Sequence, residues 1–278
     1  MTPKDGWNYF DADRAYADVL ASRLFESVEM DSARAMAQIV QDRMHGDLSI
    51  VDFGSGPGHY LPVLRKIYTG GSIRYHGVDI IEASVATGNG YFANEPAVTF
   101  THGSVLEPAD SYAGEETVIS ANTLPHVPSI EPLMRFIAET GEVRRFLFRM
   151  LIGRECVQIR KHLSEHLFDD MFDRGYQHNN IYSPAYLRHL LGEAWTIEIL
   201  EDEVDFKRLA THLIPAQQTD AFYGNRVSRA EGDKVFKGEI YMPWKFVLGS
   251  RTSASPGSGA RRTVLGSTST SPQARRCE

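Results

Sequence analysis

From Trp7 to Met44 the apolar residues Phe10, Tyr16, Leu20, Leu24, Met36, Ile39 and Val40 recur at helical spacing between charged positions, which predicts two helices broken near Glu29 to Asp31. Beyond them the period changes. SIVDFG, IRYHGVD, VTFTHG, TVISAN and RRFLFRMLI read as strands, and Tyr60 to Tyr68, Glu82 to Phe92 and Ile130 to Glu139 as the helices between them. This alternation predicts right-handed crossovers and a parallel, doubly wound α/β sheet covered on both faces. Ligands in such sheets bind beyond the carboxyl ends of the strands, so chemistry is expected in the residues that follow each strand.

After Ile152 the pattern weakens. VQIRKHLSEHLFDDMF reads as helical, SPAYLRHLLGEA carries a Ser-Pro helix start, WTIEILED reads as a strand, Phe206 to Lys237 as an irregular stretch, and GEIYMPWKFVLG as a closing strand. From Ser250 the chain is rich in Ser, Thr, Gly, Pro and Arg with almost nothing to bury, so a disordered tail is expected over 250–278. One domain is therefore expected over 1–249, with 1–46 as a helical cap and 153–237 as lid and substrate-selecting insertions.

Composition narrows the class. At 278 residues, 42% hydrophobic and 23% charged, the chain can bury a sizeable core and matches neither a disordered nor a membrane protein. No apolar run is long enough to span a bilayer, and the start MTPKDGWNYF lacks the basic and apolar regions of a secretion signal, so a cytoplasmic setting is expected. Cys156 and Cys277 have no metal-ligand spacing and are expected to stay reduced. A net charge of −7 provides no global field for nucleic acid, so neither nucleic acid nor membrane is expected as a partner.

The densest signal is VDFGSGPGHY. Asp52 ends a strand, Gly54, Ser55 and Gly56 make the turn, and Pro57 with Gly58 opens a helix, a joint at which a ligand can approach the main chain. A dinucleotide site uses GxGxxG, but the third glycine position here holds His59, leaving GxGxG with an acid two residues upstream. With YHGVDI, FTHGSV and VISANTLPHV after the next three strands, the chain resembles the class I S-adenosylmethionine-dependent methyltransferases from Ser49 to Ile152, in motif order and spacing. The resemblance implies a Rossmann-like methyltransferase fold: a mostly parallel seven-stranded sheet, an antiparallel closing strand and an N-terminal helical cap.

It also implies S-adenosyl-L-methionine as cofactor and distributes its parts. The turn of Gly54, Ser55, Gly56 and Gly58 would lie beside the methionine and ribose, with Asp52 near the amino group. Asp79, with Ile80 beside it, would accept hydrogen bonds from the ribose hydroxyls, although an acid there could equally cap the following helix. Ser104 and Val105 would border adenine, a serine standing where many relatives carry an acid. Asn122 and Thr123 would face the amino-acid end, and Tyr16 would reach its carboxylate.

A sulfonium methyl is already activated, so the protein mainly aligns the acceptor and manages one proton. His126 is the candidate base, its other reading being a residue of the pocket wall. Arg149 interrupts an apolar strand and is expected either to meet an anionic acceptor or to pair with a neighbouring acid. His162 in the lid and Tyr182 in the cluster Tyr176, His178, Asn179, Asn180, Tyr182 are the further acceptor-binding candidates. HLSEH, His162 to His166, matches an inverted zinc-peptidase pattern, but a charged amphipathic helix explains it and no metal is expected. The function expected is methylation of a small hydroxylated or anionic molecule, at oxygen, with a nucleic-acid methyltransferase and an NAD-dependent oxidoreductase as the alternatives. The sequence is compatible with a homo-oligomer and identifies no particular acceptor.

Overall fold

The apolar run around Ile50 forms the middle of the sheet. In the computed structural model, which describes residues 14–112, 114–162, 176–202, 228–231, 234–237 and 240–252, β1 (Leu48–Phe53) pairs in parallel with β2 (Ile73–Asp79) and β4 (Thr117–Ala121). β3 (Val98–His102) extends one side and β5 (Arg145–Leu151) the other, both parallel. β12 (Trp244–Arg251) reverses direction against β5 and against β8 (Trp195–Glu201), which gives the seven-stranded order β3-β2-β1-β4-β5-β12-β8. The expected fold class holds, including the antiparallel closing strand.

Alternation along β1 feeds two cores. Leu48 and Ile50 pack toward α2 (Asp31–Arg43) and α3 (Leu61–Ile67), where Met36, Val40, Leu61 and Leu64 are buried with Tyr75 and Phe100. Val51 and Phe53 point to the opposite face, where Leu133, Met134 and Ile137 of α5 (Glu131–Glu139) and Leu187 of α6 (Pro184–Leu191) meet Phe146, Phe148 and Val247. Each such side chain contributes about 1.5–3 kcal/mol on leaving water, enough to fix the register against a one-residue slip. α6 starts where Ser183 accepts from the Tyr186 N–H (3.2 Å), with Pro184 in the first turn. α1 (Arg14–Phe25) crosses near α4 (Glu82–Tyr91) and covers the carboxyl end of the sheet.

Three sequence expectations change. The helical reading of VQIRKHLSEH fails in its described part: Val157 bridges Ile181, and β6 (Arg160–His162) pairs antiparallel with β7 (Tyr176–His178). Cross-strand pairing overrides the helical charge spacing there. Within the stretch expected to be irregular, β9 (Ser228–Glu231) and β10 (Lys234–Lys237) pair antiparallel, and β11 (Ile240–Tyr241), from the segment expected as the closing strand, pairs with β10 in this small sheet. Finally, β12 runs past the expected boundary. Ser250 and Arg251 pair with Thr196 and Trp195, and the Arg251 guanidinium donates to the carbonyls of Val143 (3.0 Å), Ile137 (2.9 Å), Ala138 (3.2 Å) and Thr140 (2.7 Å) while stacking on Trp195. A cation on the unpaired carbonyls that end α5 explains why two polar residues belong to the sheet.

Candidate active site

At the carboxyl ends of β1 to β4 lies a cleft partly open to solvent, lined by both apolar and polar residues. Its walls come from four separate crossovers: Gly54 after β1, Asp79, Ile80 and Ile81 after β2, Gly103, Ser104 and Val105 after β3, and Ala121, Asn122, Thr123, His126 and Val127 after β4. Leu20 and Arg23 of α1 and His59 complete it.

The glycine turn is held by what surrounds it. Gly54 and Ser55 both donate to the Val78 carbonyl (2.7 and 3.2 Å), and Gly56 N–H donates to Asp79 Oδ2 (2.7 Å). Gly54 has φ +77°, and a Cβ there would fall 2.0 Å from Thr123 Oγ1, so close contact between the first and fourth crossovers requires a glycine. Gly58, at φ +83°, is bare because Phe100 fills the space a Cβ would take. These two glycines serve packing of the protein on itself, while the Gly54 backbone also lines the cleft.

Asp79 is buried at the cleft wall. Its Oδ1 accepts from Ile81 N–H (2.8 Å), the residue just before α4, so Asp79 braces the approach to that helix without capping it, and its Oδ2 ties it to the glycine turn. Burial pushes its carboxyl up and the two backbone donors pull it down. Each oxygen holds one of these bonds, which leaves lone pairs for a ligand. Asp52 lies beneath the cleft rather than on it, taking a hydrogen bond from Tyr75 OH (2.5 Å). Burial raises Asp52 to about 7; the Tyr75 bond opposes the shift and the Asp79 charge adds to it.

Ser104 Oγ accepts from Leu106 N–H (3.1 Å), shaping the wall that buried Val105 completes. Asn122 sits in the left-handed region (φ +64°), donating to Tyr60 OH (3.0 Å) and accepting from Arg149. Arg149 pairs with Asp202, its Nε donating at 2.9 Å, and stacks on Trp244 at 4.3 Å. Of the two readings for Arg149, the structure displays the ion pair, and its guanidinium does not line the cleft. Tyr60 OH also meets Ser32 Oγ (2.6 Å), so one polar chain runs Ser32, Tyr60, Asn122, Arg149, Asp202.

His126 lines the cleft, and its Nδ1 lies 2.8 Å from the His178 carbonyl. A carbonyl only accepts, so Nδ1 carries a proton in this contact. Tyr182 is not at the cleft: it is buried in the core, its hydroxyl accepting from Asn180 Nδ2 (3.3 Å), and desolvation pushes it up to about 12. Its ring stacks on Tyr186, which explains why a tyrosine expected at the acceptor serves packing. His162 belongs to β6, and His166 falls outside the described residues, as do the side chains of His162 and Tyr16. Among the described residues, no group of His, Cys, Asp and Glu could hold a metal ion.

Leu20, Arg23, His59 and Val127 were not predicted. Leu20 and Arg23 are three apart on α1, a helical spacing visible in the sequence, but only the crossing of α1 over the sheet turns that face to the cleft. His59 is held neutral: burial and the Arg23 charge push it down to about 3, and its Nδ1 has no hydrogen-bond partner among the described residues.

A seven-stranded sheet with one reversed strand, and a cleft gathered from the ends of β1 to β4, define the class I S-adenosylmethionine-dependent methyltransferase architecture. The chain belongs to the family described as "Methyltransferase domain", whose match spans residues 11–194. Among solved structures, similarity extends to Haemonchus contortus phosphoethanolamine N-methyltransferase 2 in complex with S-adenosyl-L-methionine (TM-score 0.54, 14% identity, 88% of this chain and 59% of that chain). It extends also to a chain from the complex between the Haloferax volcanii Trm112 methyltransferase activator and the putative methyltransferase (0.51, 14%, 90% and 99%). A third is a putative sarcosine dimethylglycine methyltransferase from Galdieria sulphuraria (0.51, 13%, 81% and 85%). At these identities the likeness is one of fold. No curated protein matches the sequence. Among the described residues, no helix is long and apolar enough to cross a membrane.

Proposed function

We propose that this methyltransferase transfers a methyl group from S-adenosyl-L-methionine to a small hydroxylated or anionic molecule, at oxygen. The observation that carries the reading is the single cleft into which residues following four different strands converge, with a buried acid, Asp79, on its wall. When bound, the cofactor supplies an electrophilic sulfonium methyl, and the chain's own residues hold and orient both partners.

Asp79 retains lone pairs for the ribose hydroxyls, Ser104 and Val105 border adenine, and Asn122, Thr123 and the Gly54 turn receive the amino-acid end. Arg23 supplies the cation for a carboxylate, and the buried acids Asp52 and Asp79 favour a ligand carrying positive charge. His126 Nε2 takes the proton from the acceptor hydroxyl, the ring being oriented by His178 through Nδ1. α1 above the cleft excludes water from the transfer.

Titration calorimetry with S-adenosylhomocysteine tests the cofactor site. Wild type is expected to bind, and Asp79→Ala to lose about tenfold or more in affinity through the missing charge-assisted bonds. Unchanged affinity in Asp79→Ala sinks the ribose assignment, and binding of NAD in place of S-adenosylhomocysteine sinks the whole reading.

A further inference from the structure

The loop that carries His126 is gripped at three consecutive residues by one short segment. Asn180 N–H donates to the Pro125 carbonyl (2.8 Å), the His178 carbonyl takes the proton of His126 Nδ1 (2.8 Å), and Asn180 Nδ2 donates to the Val127 carbonyl (2.9 Å). His178, Asn179 and Asn180 are all nearly inaccessible to solvent, so these bonds form where water cannot substitute. The segment is rigid in its turn. Asn179 N–H donates to the Ile159 carbonyl (3.0 Å), Ile181 and Val157 exchange two bonds (2.9 Å each), and Tyr182 N–H donates to the Leu151 carbonyl (3.0 Å) at the end of β5. A ladder that begins in the central sheet thus ends against the His126 ring.

We infer that Asn180 is the positioning residue for His126: its main chain and side chain bond the carbonyls on either side of that residue, keep the His178 carbonyl opposed to Nδ1, and so hold the ring with a proton on Nδ1. Asn180 acts only through His126 and touches no reacting atom. Asparagine suits the task because it donates from the backbone and the side chain to two carbonyls flanking the target residue. An aspartate of the same shape would place a carboxylate against the Val127 carbonyl and break the side-chain half of the grip. The inference rests on the reading of His126 as the proton acceptor, and it adds that the insertion after β5 sets the state of that base.

Nitrogen-15 NMR of the full chain, labelled at histidine and asparagine, tests this without a known acceptor. In wild type, His126 is expected to show a protonated, pyrrole-type Nδ1, and the Asn180 side-chain amide to exchange with solvent far more slowly than exposed amides. In Asn180→Asp that still binds S-adenosylhomocysteine, the two ring nitrogens are expected to move toward averaged shifts, reporting loss of tautomer preference. A folded variant that keeps the wild-type ring spectrum overturns the assignment, as does an unprotonated Nδ1 in wild type. Should Asn180→Asp fail to fold, fast exchange of the wild-type Asn180 amide overturns it and slow exchange supports it. A wild type that binds no S-adenosylhomocysteine defeats the cofactor reading, whatever the histidine spectrum shows.

Discussion

Replacing Asp52 with asparagine should stabilise the ligand-free protein, and more so as the pH rises. Burial lifts the Asp52 carboxyl from 3.8 to about 7 with the Asp79 charge adding to it, despite the bond from Tyr75 OH. Because the folded value is the higher one, stability is complete below the unfolded value, near pH ~4, and is lost progressively as the pH climbs through about 7. A shift of about three units corresponds to about 4 kcal/mol, of which about 2–3 kcal/mol falls between pH ~5 and pH ~8. Asparagine keeps the shape of the side chain and an oxygen for the Tyr75 hydroxyl, and it removes only the ionisation. Urea unfolding of both proteins across that pH range reads the difference as a displacement of the midpoint at constant slope. A difference that stays flat with pH, or a variant less stable than wild type at pH ~8, would refute the reasoning. A buried acid this costly, beside a cleft, is expected of a site for a cationic ligand.

Asp202→Asn should cost about 3–5 kcal/mol in urea unfolding by leaving buried Arg149 without its anion, whereas the double change Arg149→Met with Asp202→Leu should recover most of that loss. Arg251→Ala should lower stability by about 2–3 kcal/mol, seen as a fall in Tm, because three carbonyls at the end of α5 and that of Val143 lose a charged donor and Trp195 loses its stacking partner.

The sheet was readable in the sequence because Ile50, Val51 and Phe53, and their counterparts in the next three strands, form short apolar runs punctuated by glycine and separated by helical periods. Placing the cleft after those strands followed from topology alone, and Gly54, Asp79, Ser104, Val105, Asn122, Thr123 and His126 all line it. What escaped depends on distant partners. Arg149 finds Asp202 across 53 residues, a pairing that no local pattern encodes. Arg23 reaches the cleft only because α1 crosses α4, and Val157 to His162 becomes extended only because residues 176 to 182 lie alongside. Tyr182 misled for the opposite reason: a tyrosine in a polar cluster looks like a ligand contact until its ring is found stacked in the core.

Both cap helices are fastened by burial and differ in what they present to the cleft. α2 buries Ala33, Met36, Ala37 and Val40 and is tied through Ser32 to the Tyr60 hydroxyl. α1 joins it through a link that includes Ser27 in the left-handed region, and it presents Leu20 and Arg23 to the cleft. Since Ala17, Val19, Leu20 and Leu24 of that helix are buried as well, the same packing that fastens α1 also forms one wall of the cleft.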